Sequence, residues 1–349
     1  MMRKQLIRGV LAAIVLAAGS PAAQAAATAL RVGVSGASSD VVFFIAAKKN
    51  YFKDEGLNVT FTPFDSAAKM VAPLGAGQLD IGGGSASAGL YNAVARGIDI
   101  KIVADKGSTP PGYGFQPLLV RKDLVESGRY KSIKDLKGMK IAGSAPGSAS
   151  TSTLNQALKT AGLKTEDVER VYMGFPQHVP ALQNKAVDAA LTTEPSATRA
   201  VQSGAAVRVL GDDEIYPYHQ LAVVLYAGHF IKADPDAARR FMRAWLRAAR
   251  DYNDALKDGK IAGPTAEDII AILTEYTNIK DPKVYRTITP QGTNPDGHLN
   301  VESLKADLAF FKAEGQVKSA VTVDQVVDTR FVEAALKELG PYKPRTDKK

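Results

Sequence analysis

The chain has 349 residues, 45% of them hydrophobic and 23% charged, with a net charge of +8 and no cysteine. That composition is globular and the length suits two domains. The missing cysteines exclude disulfides, thiolate metal sites and a cysteine nucleophile, and the basic residues alternate with acids rather than forming the stripe that nucleic acid requires.

The first segment reads as a leader. Arg3, Lys4 and Arg8 precede an apolar run from Gly9 to Gly19, and Ala23-Gln24-Ala25 has the small residues of a cleavage site. The run falls well short of the roughly 20 residues of a spanning helix. Residues 1–25 are therefore expected to be removed on export. Without a cysteine the mature chain carries no lipid there, which favours a Gram-negative periplasm.

Beyond the leader, strands and helices alternate. Leu30 to Val34 reads as a buried strand, Ser35 to Asp40 as a turn and Val41 to Tyr51 as a helix. Strands follow at Leu57 to Phe61, Leu79 to Gly82 and Ile100 to Ala104, with helices at Ala67 to Leu74 and Ala86 to Arg96. The plan then repeats. "GMKIAGSAPGSASTST" is a strand and a small-residue turn, and helices are expected at Leu154 to Ala161, His178 to Asn184 and Ser196 to Ser203. Strands lie between these helices at Val168 to Met173 and in "AVDAALTTEP". This alternation predicts parallel α/β sheets. "FQPLLVRKDL" and "YHQLAVVLYAGHF" read as strands that cross between two lobes. Four helices close the chain: Pro235 to Leu256 capped by Asp234, one capped by Thr265 and ending at Tyr276, Val301 to Glu314, and Val323 to Leu339. The expected lobes are 29–115 with 227–349, and 116–226.

No motif for catalysis is present. His178, His219, His229 and His298 form no H-E-x-x-H pair, and there is no G-x-S-x-G elbow. "GSAPGSAST" lacks the lysine of a phosphate loop, so no enzyme, cofactor or metal is expected. What recurs is a strand, a small-residue turn and a helix start, at Ser35 to Asp40, Gly83 to Ser87 and Gly143 to Ser150. Such turns present free N–H groups and hydroxyls to a ligand, and they also serve as ordinary caps. The candidate contacts are Ser35, Gly36, Ser38, Gly84, Ser85, Ser144, Gly147, Ser148, Ser150 and Thr151, flanked by Phe64, Tyr113, Phe175, Glu194 and His219. Phe115, Tyr216 and Tyr218 are further aromatic neighbours.

The segments "AAKKNYFKDEGLNV", "GAGQLDIGGGSASAGLYNAVARGIDIKIVA", "SIKDLKGMKIAGSAPGS", "NKAVDAALTTEPSATRAVQSG" and "FIKADPDAARRFMRAW" together resemble the periplasmic solute-binding proteins of ABC importers. The group in question is the one of nitrate, sulfonate, taurine and thiamine-precursor binders. The resemblance implies a type II periplasmic-binding fold: two Rossmann-like lobes joined by two crossing strands, with a ligand cleft between them. It also implies a monomer that hands a small-molecule solute to an inner-membrane permease with a cytoplasmic ATPase. The solute expected is a small organic anion, a sulfonate or carboxylate. The alternatives are a neutral or cationic nitrogen heterocycle paired with Glu194, or an exported enzyme or sensor domain on the same fold. A cytoplasmic enzymatic branch of this superfamily uses a cysteine-rich motif that this chain does not have.

Overall fold

The computed structural model describes residues 27–345. The expected leader lies outside the described residues.

Two five-stranded sheets organise the chain. In the first, β1 (Thr28–Val34) pairs in parallel with β2 (Leu57–Pro63) and β3 (Ile81–Gly84). It also contains β4 (Ile100–Gly107) and a strand that arrives later. The second holds β5 (Leu118–Arg121), β6 (Lys140–Gly143), β7 (Glu169–Tyr172), β8 (Ala189–Leu191) and β9 (Ala206–Leu210). The late arrival, β10 (Ala222–Ala227), returns to the first sheet. The strand orders are β2-β1-β3-β10-β4 and β7-β6-β8-β5-β9.

Each sheet therefore has four parallel strands and one antiparallel strand in its fourth place. The antiparallel strand is the one delivered by a crossing: β5 enters against β8 and β9, and β10 enters against β3 and β4. The crossings are made by residues 108–117 and 211–221, and the apolar runs of the sequence supply the strands at their ends. Because β10 pairs wholly in the first sheet, residues 222–226 belong with the first lobe, although the sequence reading put them in the second.

The two crossings are laced together at Thr109. Its backbone N–H donates to the His219 carbonyl (3.2 Å) and its hydroxyl to the Tyr216 carbonyl (2.8 Å).

The first core is the larger. In the helix Val41–Lys48 every residue from Val41 to Ala46 is buried, since the helix is enclosed between the sheet and the helix Pro235–Asp254. Phe43 meets Trp245 with ring centroids 4.5 Å apart. Asp234 caps that long helix through the Ala237 N–H at 2.8 Å. The second lobe keeps two smaller clusters, around Leu118 and Leu154 and around Leu119 and Leu182.

Several boundaries differ from the sequence reading. The first helix ends at Lys48 because Asn50 turns left-handed (φ 60°), and a short helix, Tyr51–Asp54, follows. The helix expected from Leu154 starts at Ala149, so the end of the small-residue stretch, Ala149 to Thr153, is helical. The next one starts at Phe175. β9 was not anticipated, since it is short, only half-buried beyond Ala206 and includes Arg208. Thr265 does not cap with its hydroxyl, which donates to the Asp251 carbonyl. Val323 to Leu339 is a short turn, Val323–Gln325, and a separate helix, Arg330–Leu339.

Candidate functional site

A cleft lies where the two sheets face each other. The first lobe lines it with Ser35, Ala37, Ser39, Ser66, Ala67, Gly84 and Ser85. The second contributes Ser144, Ser150, Phe175 and Thr193, and the crossings add Phe115, Gln116 and Leu221. Ala222, at the start of β10, completes it. Seven of these residues carry hydroxyls and, among the described residues, none of the lining is charged.

The strand ends explain the location. β1, β3 and β6 each run out into a small-residue turn at the same edge of a sheet, the edge where open α/β folds bind ligands. All three expected turns contribute lining residues. Of the candidate residues, Ser35, Gly84, Ser85, Ser144, Ser150 and Phe175 line this cavity.

The other expected residues sit elsewhere. Ser38 donates to Gln291 at 3.0 Å, and Ser148 and Thr151 turn back to the carbonyls of Ala145 and Ser148. Gly36 faces open space. Gly147 has φ +59° and touches the other lobe: a Cβ there would come within 2.7 Å of the Ala88 Cβ. Phe64 packs on the first core. Tyr113 lines a different groove, with Tyr218 and His298. Glu194 turns away from the cavity. Its carboxylate accepts the N–H groups of Thr198 (2.9 Å) and Thr289 (3.4 Å), and burial raises its pKa. His219 lies buried between Thr153 (3.1 Å) and Asp307 (2.8 Å).

The lobes are closed on the cavity. The Ser38 N–H donates to the Glu194 carbonyl at 2.9 Å and the Ala88 N–H to the Gly147 carbonyl at 2.8 Å. The first N–H of the helix Ala149–Thr160 donates to Ser85 Oγ at 2.7 Å. Farther out, Thr165 donates to Glu314 and Arg208 to Thr289, both at 3.0 Å.

Behind the lining of the first lobe lies charge that the sequence reading missed. Lys106 and Asp40 are both fully buried, with Nζ 2.8 Å from Oδ1. The second carboxylate oxygen accepts the N–H groups of Ser35 (2.9 Å) and Ala37 (3.2 Å). The turn's amides, which would otherwise offer themselves to an anion, are thus already occupied by Asp40. Lys106 passes over Gly83, where a Cβ would meet its Cε at 2.7 Å; this close approach explains the glycine.

On the other wall, Gln116 Oε1 and Thr193 Oγ1 are buried without a hydrogen-bond partner among the described residues. Such groups cost free energy unless something fills the cavity. Neighbouring carboxyls are also strained electrostatically. Burial pushes Asp212, which accepts the Gln116 N–H at 3.0 Å, up to about 7. Burial likewise raises Asp105 to about 6. Among the described residues, no group of three or more His, Asp or Glu is placed to hold a metal.

Residues 39–256, more than half of the chain, match the family model described as NMT1/THI5 like. The chain belongs to the NMT1/THI5-like family. It is 25% identical to the taurine-binding periplasmic protein of Escherichia coli (strain K12), over 82% of this chain and 88% of that one. It is 30% identical to a protein of the same organism named for binding aliphatic sulfonates, over 55% of this chain and 57% of that relative. The chain thus spans little more than half the length of that relative. A family member of a different kind is 4-amino-5-hydroxymethyl-2-methylpyrimidine phosphate synthase THI11 of Saccharomyces cerevisiae, 26% identical over 61% of this chain and 62% of that enzyme. Among solved structures, the alkanesulfonate-binding protein SsuA from Xanthomonas axonopodis pv. citri superposes with a TM-score of 0.67 at 20% identity, over 86% of this chain and 98% of that one. The nitrate-binding protein NrtA from Synechocystis gives a TM-score of 0.75 at 14% identity, over 90% of this chain and 89% of that one. The fold is that of the type II periplasmic binding proteins.

Proposed function

We propose that this chain captures a small organic anion, a sulfonate or carboxylate, in the closed cavity between its lobes and delivers it to an ABC importer. In this reading the mature chain is a periplasmic monomer, and its partners are an inner-membrane permease and a cytoplasmic ATPase. The observation that carries the reading is the cavity itself: a cleft at the strand ends of two facing sheets, lined by seven hydroxyl-bearing residues. Hydroxyl donors suit sulfonate or carboxylate oxygens, and Phe115 and Phe175 suit an apolar remainder. Relatives named for sulfonate and taurine binding support the solute class. Among the described residues no helix is long and apolar enough to cross a membrane.

One observation favours a second reading. The free Gln116 Oε1 is an acceptor, which suits an N–H on a nitrogen heterocycle. In that reading Gln116 takes the place first given to Glu194.

Titration calorimetry of the purified mature chain separates the two. Taurine, alkane-1-sulfonates and short carboxylates are expected to bind one to one, and a pyrimidine is not. Binding of the pyrimidine alone overturns the anion reading, and turnover of any bound compound overturns transport.

A further inference from the structure

The Lys106–Asp40 pair is an unusual thing to bury. Two charges withdrawn from water are costly unless they are well compensated. Both side chains are fully buried, yet neither lines the cavity. What does line it is Ser39, and Lys106 Nζ donates to Ser39 Oγ at 2.7 Å. We infer that Lys106 is a positioning residue for ligand specificity: it holds Ser39 as a permanent hydrogen-bond donor to the solute, while Asp40 cancels its charge. This inference rests on the solute-binding reading above.

A serine hydroxyl has one proton and two lone pairs. With a lone pair committed to the ammonium, its own proton must point away from Nζ. Among the described residues no protein acceptor takes that proton, and the cavity is the space left to it. Accepting from a cation also polarises the O–H, which makes it a stronger donor than a free serine. Asp40 keeps the arrangement neutral, accepting the N–H groups of Ser35 and Ala37 and pairing with the ammonium. The first-lobe wall therefore reads an acceptor atom on the solute and places no full charge against it. Among the described residues no cation fixes the unpartnered Gln116 Oε1 of the crossing or Thr193 Oγ1 of the second lobe.

The test is a double-mutant cycle on solute affinity, with taurine, butane-1-sulfonate and acetate as probes. Ser39→Ala in the native protein is expected to weaken the best probe about ten- to a hundredfold. In a Lys106→Met/Asp40→Asn background, which removes both charges and leaves an acceptor for the turn amides, Ser39→Ala should cost no more than about threefold. Ser150→Ala should cost the same in both backgrounds. If Ser39→Ala costs equally in both, or nothing in the native protein, the inference is wrong and the pair is only structural. Should the charge-free background not fold, Ser39→Cys decides. A thiol is a weak donor, so a loss close to that of alanine supports the inference and full retention overturns it. If no probe binds the native protein, the solute reading falls and this inference with it. Binding that ignores Ser39 removes this inference alone.

Discussion

In the first lobe, the cavity wall formed by Ser35, Ala37 and Ser39 is backed by a buried lysine and a buried aspartate. In the second lobe, the wall formed by Ser144, Ser150 and Thr193 has no ion pair behind it, and polar atoms stand open. The sheets are laid out alike, each with its antiparallel strand in fourth place. One scaffold thus carries two ways of placing polar groups along a cleft. In the first lobe a buried ion pair fixes Ser39, whereas Thr193 Oγ1 of the second lobe and Gln116 Oε1 of the crossing have no partner among the described residues.

The largest test of that contrast is Lys106→Met alone. It strands the Asp40 carboxylate in a dry interior and is expected to cost about 3–5 kcal/mol by urea denaturation. A cost below about 1 kcal/mol would mean that the wall of the first lobe is not built on that pair. On the opposite wall the sign reverses. Gln116→Leu removes an unpartnered buried oxygen, so the ligand-free protein should be unchanged or stabilised by up to about 1 kcal/mol. Solute affinity should nevertheless fall about tenfold or more. Loss of both stability and affinity would show Gln116 to be structural.

A third effect depends on pH. The Asp212 carboxyl is raised to about 7 by burial, so the folded protein holds its proton where the unfolded chain releases it. Its contribution is full below the ordinary aspartate pKa near 4 and is lost as pH rises through about 7. Asp105, raised to about 6, acts in the same direction, whereas His178, lowered to about 4, acts in the opposite one. The informative quantity is therefore the difference between the native protein and Asp212→Asn. Between pH 4 and 7 the native protein should lose stability relative to the variant, and a flat difference would count against a protonated Asp212 at the crossing. The smallest effect expected is that of Glu194→Gln, whose side chain points away from the cavity. Solute affinity should change by less than about threefold.

Much of the fold was legible because periodicity and small-residue turns are local signals. The alternation from Leu30 onward, the paired crossings and the Asp234 cap all have local causes. The three strand-turn-helix sites were found for the same reason. The site's finer content was not local. On extended backbone, neighbouring side chains face opposite ways, and which parity faces inward depends on the partner lobe. Glu194 was picked where Thr193 lines the cavity; in the irregular crossing parity gives no guide, and Phe115 and Gln116 line the cavity where Tyr113 does not. Lys106, in "VADKGS", reads as the solvated end of a strand. It is buried because Gly83, Phe43 and Asp40, distant in sequence, enclose it.

Everything proposed for this protein turns on a solute held in the cavity between the lobes. Titration calorimetry on the native protein and a cavity-filling Ser150→Trp variant tests it most directly. The account predicts one-to-one binding of a sulfonate or carboxylate by the native protein, and no measurable heat with a variant that remains folded. Equal binding by both proteins would contradict it.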